Sequence, residues 1–212
     1  MTPAFIGQLA RDLPACRWLK LEDDPTAQKV TAILAANAVL MNFQNLTSLG
    51  LDGIAHAAEA MVGRTVGKKD RRALQEAVAL TLRWSLYFAA GFTAIYVVAG
   101  PFIVSILTNL PDVRATAMVY LPWLVASPLI SVWCFLYDGV YVGMTRAREM
   151  RNIMVVSAFG VFLPLWFVSQ PLGNHGLWFA LMAFMASRGI GMHMGYRKAM
   201  RVAHGPDVSE RP

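Results

Sequence analysis

The segment from Leu34 to Arg72 constrains the fold more than any other part of the chain, because it is apolar enough to enter a bilayer yet carries polar side chains throughout. On a helix at about 100° per residue, its polar side chains fall within an arc of roughly 120°. The arc comprises Asn37, Gln44, Asn45, Ser48, Asp52, His56 and Glu59. Polar groups are costly inside a membrane, so they usually face a bundle interior or a cavity.

Two interpretations of this polar arc remain open. The amide and hydroxyl side chains can act as interhelical hydrogen-bonding groups, each worth about 0.6 kcal/mol. The ionisable side chains Asp52, His56 and Glu59 favour a functional role, because a charge at membrane depth is rarely retained for packing alone.

Composition places the chain among helical membrane proteins. Hydrophobic residues make up 56% of its 212 residues and charged residues 15%, whereas soluble domains average about 45–50% apolar and about 25% charged residues. The net charge of +6 could indicate nucleic-acid binding, but the excess lies in short connections between apolar runs. We therefore predict an all-α, polytopic transmembrane helical bundle that contacts the lipid bilayer and no nucleic acid.

Five apolar runs predict about five membrane spans. Residues 1–29 read as a polar leader, residues 30–201 as the transmembrane domain, and residues 202–212 as a disordered tail. Gly100-Pro101 is expected to end the second span, and the third should be kinked by Pro122 and Pro128. The predicted spans cover residues 30–62, 77–99, 115–144, 153–168 and 177–194.

Basic residues alternate between the connections. Residues 64–72, 146–151 and 197–201 are rich in Lys and Arg, whereas the intervening connections carry little besides Arg114. Short basic loops stay in the cytoplasm. The pattern predicts a multi-pass protein of the bacterial inner membrane, with the leader outside and the C-terminus cytoplasmic.

Two ionisable residues lie within the later spans. Asp138 sits in the span with two prolines and could take up a proton or bind a monovalent cation; the alternative is a structural ion pair with Arg188. Arg188 cannot lose its proton, so it must either be paired or extend its charged end to the membrane surface. Both Glu59 and Arg188 are expected in the cytoplasmic half, so we predict that these two residues form a structural ion pair.

Neither a metal site nor an enzyme is predicted. Asp52, His56 and Glu59 stand at i, i+4 and i+7, which is a metal-ligand spacing on a helix, but a closed site would need ligands from other helices. The sequence contains no phosphate-binding glycine loop and no convincing nucleophile–base arrangement. We expect no metal and no cofactor.

Several segments together resemble a known transporter family. The chain is similar to the C-terminal half of MATE (multidrug and toxic compound extrusion) transporters, closest to the DinF-like branch, over about residues 34–201. The segments that carry the resemblance are LAANAVLMNF, LDGIAHAAEAMVGRTVGKKDRRAL, PFIVSILTNLPDVRATAMVYLPWL, WCFLYDGVYVGMTRAREMRN and PLGNHGLWFALMAFMASRG.

The resemblance implies an architecture and a partner. The family has two six-helix lobes with the substrate cavity between them, so this chain would be part of one six-helix lobe. The implied partner is an N-terminal lobe that this chain lacks, and residues 1–29 do not match the family. Two explanations are open, a truncated gene product and a wrongly assigned start of the coding sequence.

The resemblance also implies a function. Asp138 in LYDGVYVG matches the acid of the family's tenth span, which implies an ion-coupling role. We predict a partial multidrug efflux antiporter that exports organic, cationic compounds in exchange for H+ or Na+. Its cavity would be lined by Asn37, Asn45, Asp52, His56 and Tyr141. The alternatives are a non-transporting scaffold that binds a partner, and a lipid or polysaccharide flippase of the same superfamily.

Overall fold

The computed structural model describes residues 25–204, with side chains placed for residues 28–196. Within this part of the chain there is no β-strand, and five long helices follow one another through short turns. The helices are α1 (Pro25–Gly67), α2 (Arg71–Leu107), α3 (Pro111–Gly143), α4 (Ala147–Val168) and α5 (Asn174–His204). The predicted all-α bundle of about five helices is confirmed. Most of the predicted leader and tail, residues 1–24 and 205–212, lies outside the described residues.

Three of the helices have the length and hydropathy to cross a membrane. These are α2, α3 and α4, with 37, 33 and 22 residues. The other two carry charged side chains along their length, Asp52 and Glu59 on α1 and Arg188 on α5. Every described helix begins before the predicted span, because the more polar residues that precede the apolar run join the same backbone hydrogen bonding.

Local chemistry explains where the helices begin and end. The Asp70 carboxylate accepts a hydrogen bond from the Ala73 amide at 2.9 Å, which caps the first turn of α2. Pro111 opens α3, where the missing amide hydrogen costs nothing. The turns after α1 and α3 each contain a residue with positive φ, Lys69 at 55° and Thr145 at 59°.

The structure corrects the prediction that Gly100-Pro101 ends the second span. Helix α2 continues through Pro101 to Leu107. Proline removes one helical hydrogen bond, but membrane helices tolerate it because neighbouring groups can satisfy the freed carbonyl. Gly100 packs against Leu121 of α3, and a Cβ built at Gly100 would lie 3.2 Å from a Leu121 methyl carbon.

The middle of α4 departs from α-helical hydrogen bonding. Residues Ala158–Phe162 form a π-helical turn, in which the Leu163 amide donates to the Ala158 carbonyl. The turn lies just before Pro164, which has no amide hydrogen to continue the α-helical ladder. The wider turn therefore accommodates the proline within one continuous helix.

The contacts between helices show their relative direction. Along α1 and α3, Gln44 meets Ser127 and, further on, Ala55 meets Gly139. Residue numbers therefore rise together, so the two helices are parallel. The same holds for α3 and α5, where Asp138 meets Arg188 and Tyr141 meets Met192. Because α2 and α4 link these parallel helices through short turns, the basic connections at residues 64–72 and 144–151 lie at one end of the bundle.

Helix α1 buries its apolar face against the other helices. Leu40, Phe43 and Leu51 are almost inaccessible to solvent. Small residues on the same face, Ala36 and Ala58, are also fully buried and let neighbouring helices approach. Within the predicted polar arc, Asn45 and His56 are consequently exposed, whereas Gln44 is buried and the other members are half-buried.

Helices α1 and α3 approach each other closely at two glycines of α3. A Cβ at Gly139 would lie 2.1 Å from the Ala55 carbonyl oxygen, and a Cβ at Gly143 would lie 2.6 Å from the Glu59 carbonyl oxygen. Glycines four residues apart are a common device for bringing membrane helices together. This contact fixes the depth at which Asp138, the neighbour of Gly139, faces the rest of the bundle.

Candidate functional site

An ion pair between α3 and α5 forms the centre of the candidate site. The Nη2 atom of Arg188 donates to both carboxylate oxygens of Asp138, at 3.0 Å to Oδ1 and 2.7 Å to Oδ2. The side chain of Arg188 is 10% exposed and that of Asp138 is 28% exposed. A buried cation and a half-buried anion at this distance attract each other more strongly than they would in bulk water.

The surroundings of Arg188 hold the guanidinium group in place. Its central carbon lies 5.6 Å from the centre of the Phe184 ring, one turn earlier on α5, in a cation–π contact. The next residue, Gly189, approaches the Trp133 side chain of α3, and a Cβ there would lie 2.8 Å from the Trp133 Cβ. This close approach allows the two charged side chains to meet.

The observed pair corrects the predicted pairing of Glu59 with Arg188. Arg188 binds Asp138. This ion pair is the alternative that was predicted for Asp138 from the sequence. Glu59 instead lies 3.5 Å from the Nδ1 atom of His56 on its own helix, and its side chain is 43% exposed. The physical reason is the parallel packing of α3 and α5, which puts Asp138 closer to the buried arginine than any residue on the outer face of α1.

Two tyrosines on α3 reinforce the contact with α5. The Tyr137 hydroxyl lies 2.6 Å from the His193 Nδ1 atom, and the Tyr141 hydroxyl donates to the Met192 carbonyl at 3.0 Å. Tyr141 is fully buried. The prediction that it lines a cavity is therefore corrected, because its hydroxyl is used within the helix interface.

Further polar contacts lie toward the opposite end of the bundle. The amides of Asn37 and Asn174 bind each other at 2.7 and 2.9 Å, and the Trp178 indole also donates to Asn37 at 3.1 Å. Near Pro128, the Ser127 hydroxyl donates to the Gln44 side-chain oxygen at 2.7 Å. Asn37 and Gln44 thus act as interhelical hydrogen-bonding groups, the first of the two interpretations of the polar arc.

The rest of the predicted polar arc forms an outward-facing polar surface. Asn45 is exposed, Asp52 is half-buried, and the His56 side chain is 78% exposed. Ala55, on the same helix as this polar surface, contacts Gly139, the neighbour of Asp138. The structure thus places an open polar face of α1 beside the buried ion pair.

A mainly apolar cleft lies between α3 and α5 near the ion pair. Its volume is about 470 Å³, which is within the range of pockets that hold small molecules. The residues that line it are Leu129, Ile130, Trp133, Ala186, Gly189, Ile190 and His193. The cleft offers apolar contact area with His193 as its polar edge.

Sequence reasoning missed several of these contacts. Tyr137 and His193 carry no motif that would pair them. In contrast, the GVYVG segment contains the two glycines of the α1–α3 contact at a spacing that predicts helix packing. Among the described residues, no group of three or more His, Cys, Asp or Glu side chains could hold a metal ion. Asp52, His56 and Glu59, at i, i+4 and i+7 of α1, are therefore not joined by a metal-ligating side chain from another described helix.

Comparison with known proteins identifies the family. The model of the MatE family matches residues 30–168, which include most of α1 and all of α2, α3 and α4. The chain belongs to the MatE family. The resemblance to MATE transporters, inferred from the sequence segments, is confirmed.

Individual relatives agree with this assignment. The MatE-family chain is 42% identical over 170 residues to DNA damage-inducible protein F of Escherichia coli (strain K12), an alignment that covers 80% of this chain and 37% of that protein. It is 25% identical over 186 residues to the uncharacterized transporter YisQ of Bacillus subtilis (strain 168), with 82% and 40% coverage. Protein DETOXIFICATION 42 of Arabidopsis thaliana is 26% identical over 162 residues, with 76% and 32% coverage.

A solved structure shows the same fold. The crystal structure of the eukaryotic MATE transporter AtDTX14 superposes with a TM-score of 0.73 at 14% identity, covering 85% of this chain and 41% of that one. The MatE-family chain thus spans about one third to two fifths of the length of these relatives. They are membrane transporters where their names state a function, which is consistent with the expectation of a non-enzyme.

Proposed function

We propose that this chain supplies part of the C-terminal lobe of a cation-coupled efflux transporter. Membrane transport is the activity named for the relatives YisQ and AtDTX14. In this proposal, organic cations are exported in exchange for H+ or Na+. The exchange takes place in the bacterial inner membrane, and Asp138 is the residue whose occupancy by the coupling ion changes during the cycle.

The observation that carries the proposal is the open polar face of α1 beside the Asp138–Arg188 pair. Glu59 precedes Lys68, in the basic turn that follows α1, by about nine residues, which corresponds to roughly 13 Å along a helix. Lipid cannot satisfy charged groups at that depth. Asp52, His56 and Glu59 therefore need protein or water in front of them, as a transport cavity between two lobes would provide.

The helix that carries Asp138 is suited to a conformational change. Pro122 and Pro128 both lie inside α3, and proline leaves helix carbonyls without their usual donors and creates sites where a helix can bend. A change in the charge or partner of Asp138 would alter its attraction to Arg188 on α5. Such a change can be coupled to movement of α3 relative to α5.

The proposed orientation puts the basic end of the bundle in the cytoplasm. The turns after α1 and α3 contain Lys68, Lys69 and Arg146, Arg148 follows in the first turn of α4, and these residues lie at the same end. Retention of short basic loops in the cytoplasm would then place the start of α1 on the outside. Asn45, Asp52 and His56 would face the substrate cavity, together with an N-terminal lobe.

Transport driven by an imposed ion gradient tests the proposal. Residues 30–204 would be joined to the N-terminal lobe of the E. coli relative, and ethidium efflux from liposomes would be measured with a proton or a sodium gradient. Asp138→Asn keeps the shape of the side chain and removes its charge. With the efflux rate expressed per folded and inserted protein, we expect Asp138→Asn to lose gradient-driven efflux, whereas efflux at the unmodified rate per inserted protein would remove Asp138 from the mechanism.

Asn45→Asp supplies a matched control for the same measurement. It changes one polar side chain on the exposed face of α1 without touching the buried ion pair. We expect gradient-driven efflux to persist in this variant with an altered affinity for ethidium. A fusion that inserts correctly yet shows no gradient-driven efflux would favour the non-transporting scaffold.

A further inference from the structure

The contact between Arg188 and Asp138 has the geometry of a cation bound by a bidentate carboxylate. One nitrogen, Nη2, lies 3.0 Å from Oδ1 and 2.7 Å from Oδ2. A forked arginine–carboxylate pair would use two nitrogens, one for each oxygen. Here a single positively charged donor sits between both oxygens, where a carboxylate that binds a cation in bidentate fashion would hold it.

The guanidinium group is fixed in this position by its surroundings. Arg188 is 8% exposed and packs over the Phe184 ring. In the described part of the chain, its Nε atom is buried without a hydrogen-bond partner. The two bonds from Nη2 to Asp138 are therefore the hydrogen bonds that hold the group, and no described acceptor competes for it.

The charges around Asp138 would otherwise attract a cation. The Arg188 guanidinium of α5 forms an ion pair with the Asp138 carboxylate. Without the arginine, the partly buried Asp138 carboxylate would have no cationic hydrogen-bond donor in the described part of the chain. Such a site would attract a small monovalent cation from water.

We propose that the Arg188 guanidinium is a tethered cation that occupies the cation-binding position of Asp138 and excludes Na+ from it. This inference rests on the proposed role of Asp138 in ion coupling, and it assigns Arg188 as the residue that determines which ion can bind there. Sodium could bind to Asp138 only in the fraction of molecules in which the Arg188–Asp138 ion pair is separated. The apparent affinity of a ligand falls in proportion to the fraction of protein in the competent state, so a pair open for about 1% of the time weakens sodium binding about a hundredfold.

Sodium binding to the purified 212-residue chain tests this inference without any transport. Binding of radioactive sodium ions would be measured in detergent at mildly alkaline pH, with choline chloride holding the ionic strength constant. For the unmodified chain and Asp138→Asn we expect equal background binding. For Arg188→Gln we expect an apparent affinity about tenfold higher or more, and Asp138→Asn in the same chain should abolish the gain.

Matched variants separate an opened site from a simple change in net charge. Arg83→Gln removes one positive charge from the exposed surface of α2, and it should leave sodium binding unchanged. Arg188→Met is a second variant that removes the charge while filling the space. Size-exclusion profiles and circular dichroism would show which variants fold.

The outcomes decide the proposal in each case. A gain of Asp138-dependent sodium binding in either folded Arg188 variant supports it. No gain in both folded variants overturns it, as does sodium binding by the unmodified chain that is lost in Asp138→Asn. If neither Arg188 variant folds, the unmodified chain is compared with Asp138→Asn. Equal background binding of sodium supports the proposal, and sodium binding that is lost in Asp138→Asn overturns it. Loss of efflux in the transport experiment would leave this result unaffected, so the two proposals fail separately.

Discussion

Gly139 of α3 lies directly against the backbone of Ala55 on α1. A Cβ atom built at Gly139 would lie 2.1 Å from the Ala55 carbonyl oxygen, and that carbonyl cannot move aside without bending α1. The contact places Asp138, the preceding residue, at a fixed depth between α1 and α5. Packing at one glycine therefore sets the geometry of the candidate site.

Replacing this glycine should destabilise the bundle. Gly139→Ala introduces a methyl group into a filled helix interface, and such overpacking typically costs about 1–3 kcal/mol. The free energy of unfolding can be measured by titration with a denaturing detergent. We expect the midpoint for Gly139→Ala to shift to a lower fraction of that detergent.

Gly53→Ala is the matched control for the glycine contact. No atom lies within 4 Å of a Cβ built at Gly53, which is exposed inside α1. Alanine in a helix interior is favoured over glycine by roughly 0.5–1 kcal/mol. This variant should be as stable as the unmodified chain or slightly more so, and equal stability of Gly139→Ala would contradict the described contact.

A double-mutant cycle tests the ion pair between Asp138 and Arg188. Removing one partner of a buried pair typically costs about 3–5 kcal/mol, because the other charge remains buried. Asp138→Asn and Arg188→Gln should each lower stability, and the double variant should recover part of the loss. Glu59→Gln combined with Arg188→Gln should show simple additivity, since Glu59 lies beside His56. Coupling of Arg188 to Glu59 in place of Asp138 would refute the observed pairing.

The paired amides at the other end of the bundle should contribute less. Asn37 binds Asn174 and also accepts a hydrogen bond from Trp178. Hydrogen bonds between membrane helices average about 0.6 kcal/mol, so we expect Asn37→Leu to lower the free energy of unfolding by roughly one to two such contributions. Asn45→Leu, on the exposed face, serves as the control and should cost nothing. Equal effects of the two substitutions would argue against the amide pair.

The proposed orientation predicts which turns can be labelled from outside intact cells. Lys69 lies in the basic turn between α1 and α2, and Gln170 lies in the turn between α4 and α5 at the opposite end. Both side chains are exposed. A membrane-impermeant thiol reagent should label Gln170→Cys and spare Lys69→Cys. The reverse pattern would invert the topology.

The sequence by itself determined the class and the approximate course of the helices. Runs of apolar residues longer than a soluble protein would carry predict membrane helices, because each backbone must satisfy its own hydrogen bonds in lipid. The alternation of basic connections predicted which turns share one end. The quoted segments were specific enough to indicate the family, and the match to residues 30–168 confirms it.

Helix boundaries at prolines were less accessible to sequence reasoning. Gly100-Pro101 would end a helix in water, yet α2 continues to Leu107 because the packed bundle supports the interrupted backbone. The glycine motif in GVYVG could have predicted the α1–α3 contact. The partner that it meets, Ala55, is an ordinary small residue with no pattern of its own.

Only the tertiary structure decided which charged residues meet. Periodicity placed Glu59 and Asp138 on known helices, but it cannot say which face of one helix touches which neighbour. The small residues of α1 and the glycines of α3 and α5 permit close backbone approach, and that approach brings Arg188 to Asp138 while leaving Glu59 on the outer face. Charge pairing in a membrane bundle is set by such packing, because Coulomb energy in a low dielectric depends steeply on a few ångströms of separation.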